Sequence, residues 1–178
     1  MNSNFFFSAN KAVSCGLGTA KSIVKSLPTE VRANFTKPLL VTDKFLVKSG
    51  LVNDTLNALK QSYDHVEVYD GVLPDPPIKC VMEALNLAKE NGCDSVVGFG
   101  GGSPMDVAKV VSYLLNNPDK TLDDIYGLDN CPGHRAPLVL IPTTAGTGSE
   151  ATSIVILKYS ATEKKAISSA NLIPDLTI

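Results

Sequence analysis

The sequence predicts an α/β fold, a mainly parallel sheet with helices on both faces, plus a β-hairpin. Three observations predict it. Apolar β-type runs alternate with amphipathic helical segments along the chain, which suits a parallel sheet covered on both sides. Two glycine-rich stretches directly follow strand-like runs, where such sheets bind ligands. Two further β-type runs near the end of the chain are separated by only a short connection, as in a hairpin.

The elements follow in order. Leu39-Leu40-Val41-Thr42 is a short β-type run that closes at Asp43. Ser49 to Ser62 predicts a helix, with Leu51, Val52, Leu56 and Leu59 near helical spacing. Val66 and Val68 alternate with polar neighbours as in a strand. Pro74-Asp75-Pro76-Pro77 breaks the chain and sets up a helix start. Ile78, Val81, Met82, Leu85 and Ala88 then repeat at helical intervals up to a stop at Gly92. Ser95 to Phe99 is the next strand, Ser103 to Asn116 the next helix, and Leu138 to Ile141 another buried strand. Thr152 to Lys158 and Lys164 to Ser168 form the hairpin, joined by Tyr159 to Glu163. Pro174 to Ile178 reads as a strand just begun, so the chain is expected to be truncated.

The 178 residues suit one domain with a proper core. A hydrophobic fraction of 44% against 19% charged residues predicts a globular chain. The net charge of -2 and the lack of a Lys/Arg block argue against nucleic acid and anionic membranes as partners. No apolar run approaches the ~18 residues of a membrane span. Phe5-Phe6-Phe7 is too short for a signal-peptide core, so a cytoplasmic setting is expected. Those phenylalanines would form either an edge strand that pairs between subunits or a buried local strand. Cys15, Cys80, Cys93 and Cys131 are far apart and are expected to be buried free thiols. His65 and His134 do not form a metal-ligand set and read as surface or loop residues.

The chemistry is concentrated in two stretches. In Phe99-Gly100-Gly101-Gly102-Ser103-Pro104-Met105-Asp106, the glycines leave no side chain in the way of an incoming group. Ser103 is the expected N-cap, and Asp106 lies three residues on, where a carboxylate answers the cap's own amide. Open amides at a helix N-terminus make a phosphate site. The bland alternative is a tight strand–helix turn without a ligand. In the second stretch, Thr143, Thr144, Thr147 and Ser149 place four hydroxyls around two glycines. Such groups suit the sugar, phosphate and amide edges of a dinucleotide. Asp43, taken alone, reads as an Asx-turn at a strand end, and Lys165 as part of a solvated strand face.

Together these stretches resemble the iron-containing (group III) alcohol dehydrogenases. The matching pieces are Val41-Thr42-Asp43-Lys44, Tyr69-Asp70-Gly71-Val72 with Pro74-x-Pro76, Gly100-Gly101-Gly102-Ser103-Pro104-x-Asp106, and Ile141-Pro142-Thr143-Thr144-Ala145-Gly146-Thr147-Gly148-Ser149-Glu150. Their order and spacing match along nearly the whole chain.

The resemblance implies a Rossmann-like N-terminal domain over residues 1–178 that binds NAD in preference to NADP. It implies that Gly101, Gly102 and Ser103 hold the pyrophosphate, with Asp106 supporting the turn. Thr143, Thr144 and Thr147 would line the adenine and ribose side. Thr152 and Lys165 would approach the nicotinamide half, and Asp43 would bind the adenosine ribose. Asp75 stands where the family usually has Asn, which keeps an acceptor, loses an amide donor and adds charge near the phosphates. The family's metal, Fe²⁺ or Zn²⁺, is held by one Asp and three His of a following all-helical domain, so catalytic and metal residues are expected outside this chain. The implied activity is reversible oxidation of an alcohol to an aldehyde or ketone, by a homo-oligomer. The competing expectations are a dinucleotide-binding module without catalysis, and a relative of the glycerol dehydrogenases or dehydroquinate synthases.

Overall fold

The computed structural model describes residues 10–178, so the expectation for Phe5-Phe6-Phe7 lies outside the described residues. Two helical turns, α1 (Ile23–Ser26) and α2 (Thr29–Arg32), precede β1 (Pro38–Val41). Asp43 then starts a helix, α3 (Lys44–Ser49), by accepting the Leu46 amide at 2.9 Å. Gly50, at φ 78°, ends it, and α4 (Asn53–Ser62) follows. The helix expected from Ser49 therefore starts at Asn53, and a separate short helix, α3, ends where it was expected to begin. Leucine spacing does not register an aspartate cap or a glycine in the left-handed region, and those two features set the boundaries.

The chain continues through β2 (Glu67–Tyr69), α5 (Ile78–Glu90), β3 (Ser95–Gly100) and α6 (Gly102–Asn116). A short turn, α7 (Leu122–Ile125), is closed by a reciprocal cap between Thr121 and Asp124, and leads into β4 (Gly127–Leu128). Then come β5 (Leu138–Pro142), β6 (Ile154–Lys158), β7 (Lys164–Ser168) and β8 (Leu176–Thr177). No helix among the described residues is long and apolar enough to cross a membrane.

Five strands form one parallel sheet in the order β2-β1-β3-β5-β8. Successive strand residues point to opposite faces, and both faces are buried. Leu39, Val41, Val96, Leu138 and Leu140 pack with α5 and α6. Leu40, Val97, Phe99, Val139 and Ile141 pack with α1, α3 and α4 on the other side. The last strand does not end the hydrogen bonding. The Thr177 amide donates to the Ala12 carbonyl at 2.9 Å and the Ser14 amide to the Thr177 carbonyl at 2.8 Å, so the N-terminal segment covers part of this edge. Asp175 ties β8 to β5, because it accepts both Arg135 at 2.6 Å and the Leu138 amide at 3.0 Å.

The hairpin forms as expected, with β6 antiparallel to β7, and β4 adds a third strand beside β7. Val155, Leu157 and Ile167 face the core, whereas Ile154 and Ile156 are about half exposed. The hairpin is fastened to α6 by polar groups. Asp106 accepts the Ile156 amide at 3.1 Å, and the Lys109 ammonium donates to the carbonyls of Thr152 at 2.8 Å and Ile154 at 3.0 Å. Asp106 therefore does not answer the cap of its own helix. Nor is Ser103 the cap: α6 begins one residue earlier, after Gly101, and has no side-chain cap hydrogen bond. The glycines let the backbone enter the helix sooner, and Asp106 falls on the face that meets β6.

All four cysteines are free; Cys80, Cys93 and Cys131 are buried, but Cys15 is exposed, contrary to expectation. Burial pushes the thiols of Cys93 and Cys131 up to about 11.

Burial lowers the pKa of Lys109 to about 8, against the opposing pull of Asp106 and Glu150. Between about pH 8 and the ordinary lysine value near 10.5, the unfolded chain holds this proton and the folded chain does not. Stability contributed through Lys109 therefore rises with pH across that window, by about 3 kcal/mol in total at ~1.4 kcal/mol per pKa unit. Urea unfolding of the wild type and Lys109→Met at pH 7.5 and 10.5 checks this. The wild type should gain stability relative to the variant as pH rises, and a constant difference would contradict it.

Candidate functional site

The sheet order places a crevice at a definite point. The connection after β1 returns to β2 on one side, whereas the connection after β3 leads to β5 on the other. Between those two exits the loops part, beyond the carboxyl ends of the strands. A cavity of about 550 Å³ occupies this position, which is within the range of small-molecule sites.

The floor is the β3–α6 junction. Gly98 and Gly100 bring it this close: a Cβ on Gly98 would lie 2.7 Å from Leu140 and 2.8 Å from Ala108, and Gly100 adopts φ 149° with Pro104 folded against it. Gly101, Gly102 and Ser103 line the cavity, and the amides of the first helical turn are not satisfied by any side-chain cap. A 15-residue helix thus directs its partial positive charge into the crevice.

Asp43 stands across from this floor, at the exit of β1. One carboxylate oxygen, Oδ1, is engaged by the Leu46 amide. Thr143 and Thr144, at the exit of β5, complete the polar lining. Thr147 and Ser149 lie over Gly102, with Ser149 Oγ 3.3 Å and Thr147 Cβ 3.6 Å from where a Cβ would sit. Both expected glycine-rich stretches are therefore brought together, one above the other.

The opposite wall is apolar and was not anticipated. Phe45, Leu51 and Leu73 line the cavity with Val72 and Pro74, and remain 70%, 59% and 55% exposed. Large apolar side chains left open beside polar groups suit the two faces of an aromatic base. Proximity to Asp43, two residues before Phe45, was the available signal. Leu51 was legible only as part of a helix face.

Asp75 and Lys165 are placed differently from the rest. Asp75, at φ 50°, lies on the loop between this cavity and a smaller one of about 440 Å³. Its carboxylate is 2.7 Å from Lys164 Nζ, and that ammonium holds the Asp75 carboxyl below its usual value. The same loop is bonded to β6 through the Lys158 amide and the Pro76 carbonyl, at 2.9 Å. Lys165 lines neither cavity. It pairs with Leu157 on the packed side of the hairpin, and its ammonium lies 3.3 Å from the Tyr159 ring centroid and 5.1 Å from that of Tyr126. Strand alternation from the buried Ile167 was the signal that separates Lys165 from Lys164.

Among the described residues, no three His, Cys, Asp or Glu side chains converge as a metal site. These residues do not themselves fit a metal ion.

The family described as iron-containing alcohol dehydrogenase matches residues 14–178. The chain is 35% identical over 174 residues to the probable alcohol dehydrogenase EutG of Escherichia coli (strain K12), covering 97% of this chain and 43% of that protein. It superposes on a crystal structure of 1,3-propanediol oxidoreductase with a TM-score of 0.89 at 30% identity, covering 98% of this chain and 45% of the other. Sulfoacetaldehyde reductase from Bifidobacterium kashiwanohense, solved in complex with NAD+, superposes with a TM-score of 0.85 at 28% identity, covering 98% and 46%. The chain thus spans less than half the length of the relatives it matches. Family match, overall likeness and the paired glycine-rich loops agree: the chain belongs to the iron-containing alcohol dehydrogenase family.

Proposed function

We propose that this chain is the cofactor-binding half of an NAD-dependent, metal-dependent alcohol dehydrogenase. One observation carries the reading. The uncapped N-terminus of α6 opens onto the same cavity as Asp43 and an apolar wall. Phosphate, ribose diol and adenine each have a matching surface there.

On this reading the amides of Gly102 and Ser103 receive the pyrophosphate, and the hydroxyls of Thr143, Thr144 and Thr147 surround it. Asp43 accepts hydrogen bonds from the adenosine ribose and repels a 2′-phosphate, which favours NAD over NADP. Phe45 and Leu73 cover the base. Thr152 and Lys165 lie toward the nicotinamide half, and Lys164 holds the Asp75 loop. Bound NAD would supply the hydride acceptor for oxidation of an alcohol to an aldehyde or ketone. The family's metal ligands would come from outside these 178 residues, so this half binds cofactor without turning substrate over. The free thiols support a cytoplasmic setting.

Calorimetric titration with NAD and then NADP, in the presence of a chelator, tests the reading. NAD binding without metal, and weaker NADP binding, is the expected result. No binding of either by the full-length protein would overturn it. Asp43→Gly should weaken NAD binding about tenfold and relax the rejection of NADP. The lost helix cap costs only a few tenths of a kcal/mol when the replacement is Gly, so the fold should persist. An unchanged cofactor preference would remove Asp43 from the site. Gly101→Val should abolish NAD binding in a folded protein, because the added side chain starts 3.3 Å from Thr144 Oγ1 and fills the floor. Full NAD affinity in that variant would put the pyrophosphate elsewhere.

A further inference from the structure

Lys109 is fully shielded from solvent, although an isolated buried ammonium is among the costliest groups to place in a protein. It stands on α6 one turn after Asp106. Its Nζ donates to the carbonyls of Thr152 and Ile154, while Asp106 accepts the Ile156 amide. Two side chains of α6 thereby hold every second residue of the segment 152–156. The charged groups facing Lys109 are Asp106, from its own helix, and Glu150, from the loop before β6. Asp106 Oδ1 and Glu150 Oε2 are buried and have no hydrogen-bond partner among the described residues.

Packing does not require this arrangement. Val155 and Leu157 already supply the hairpin with an apolar face against the core. What an ammonium adds is directional. It fixes backbone carbonyls at the start of β6, directly after the loop whose Ser149 and Thr147 lie over Gly102. A shift in that segment would lift the loop away from the N-terminus of α6.

We propose that Lys109 is a positioning residue: through the Thr152 and Ile154 carbonyls it sets the height of the 147–152 loop above the start of α6, so that loop and helix donors converge on the same phosphate groups. This rests on the cofactor reading above. It adds that the cleft's two glycine-rich stretches are held in register by a buried charge that touches no ligand.

The test compares NAD with AMP in wild type and Lys109→Met, which keeps the length of the stem. AMP would bring the adenosine to the Asp43 side of the cavity with a single phosphate at its near edge, whereas NAD must also place the second phosphate and the nicotinamide half beneath the loop. The expected result is AMP affinity within about twofold of wild type and a loss of about tenfold for NAD. Amide exchange should quicken over residues 149–156 and stay unchanged in β1 and β3. A wild-type NAD-to-AMP ratio in the folded variant would overturn the proposal. So would equal loss of both ligands with faster exchange throughout, which is the mark of a purely structural role. Should Lys109→Met not fold, Asp106→Asn removes the charge facing Lys109 at nearly constant shape and is expected to give the same selective loss; an unchanged ratio there is equally fatal. Full-length wild-type protein that binds neither ligand refutes the cofactor reading itself, and is recognised before any variant is made.

Discussion

The closeness of α6 to β3 is the constraint on which the rest of the site depends. At Gly98 the strand and helix meet with no room for a side chain, since a Cβ would press on Leu140, Ala108 and the Met105 backbone at once. Two residues further along β3, Gly100 takes a backbone conformation closed to most residues and tucks Pro104 beneath itself. Together they aim the helix at the crevice and leave its first amides without internal partners. Any larger residue at either point would move the helix as a body, because its length from Pro104 to Leu114 is buried.

The hairpin then links the floor of the cleft to one wall. On the floor side the links are buried: Asp106 to the Ile156 amide, and Lys109 to two carbonyls. On the wall side they are exposed or main-chain: Asp75 to Lys164, and the Lys158 amide to Pro76. These are not equivalent. An exposed ion pair is screened by salt and contributes little to stability, whereas a buried donor or acceptor that loses its partner costs about 1–3 kcal/mol. The floor connection is therefore the stiff one, and the loop from Pro74 to Pro77 relies mainly on its backbone bond to stay against β6.

Much of this was legible in the sequence, for definable reasons. The strands at Leu39, Ser95 and Leu138 declared themselves because burial on both faces leaves no polar alternation. The two glycine-rich stretches lay at strand ends, so their convergence followed from parallel topology. What escaped depended on local or side-on contacts. Asp43 starting a helix and Gly50 ending it were hidden behind the leucine spacing of the segment that follows. Lys109 sits in a run of apolar residues where a lysine reads as a solvated edge, and only the hairpin packed over it shows otherwise. Lys164 and Lys165 are neighbours in sequence and opposite in orientation, a distinction that requires the strand's register. Lys164 meets Asp75, whereas Lys165 lies against Tyr159 and Tyr126.

Asp43 shows how one residue can serve both the fold and the proposed site. The Leu46 amide engages Oδ1, which leaves Oδ2 and the remaining lone pairs for a second partner. That same hydrogen bond holds the carboxylate in one rotamer, so on the proposed reading an incoming diol would meet an acceptor already oriented, and little side-chain entropy would be lost on binding. Lys44 lines the same cavity and would, as a cation, attract the 2′-phosphate that Asp43 repels. The contest is unequal. Lys44 is exposed and screened by solvent, whereas Asp43 is half-buried and held by its helix. A fixed, half-buried anion at the cavity edge outweighs a solvated cation beside it, so the cap that begins α3 also underlies the proposed preference for NAD.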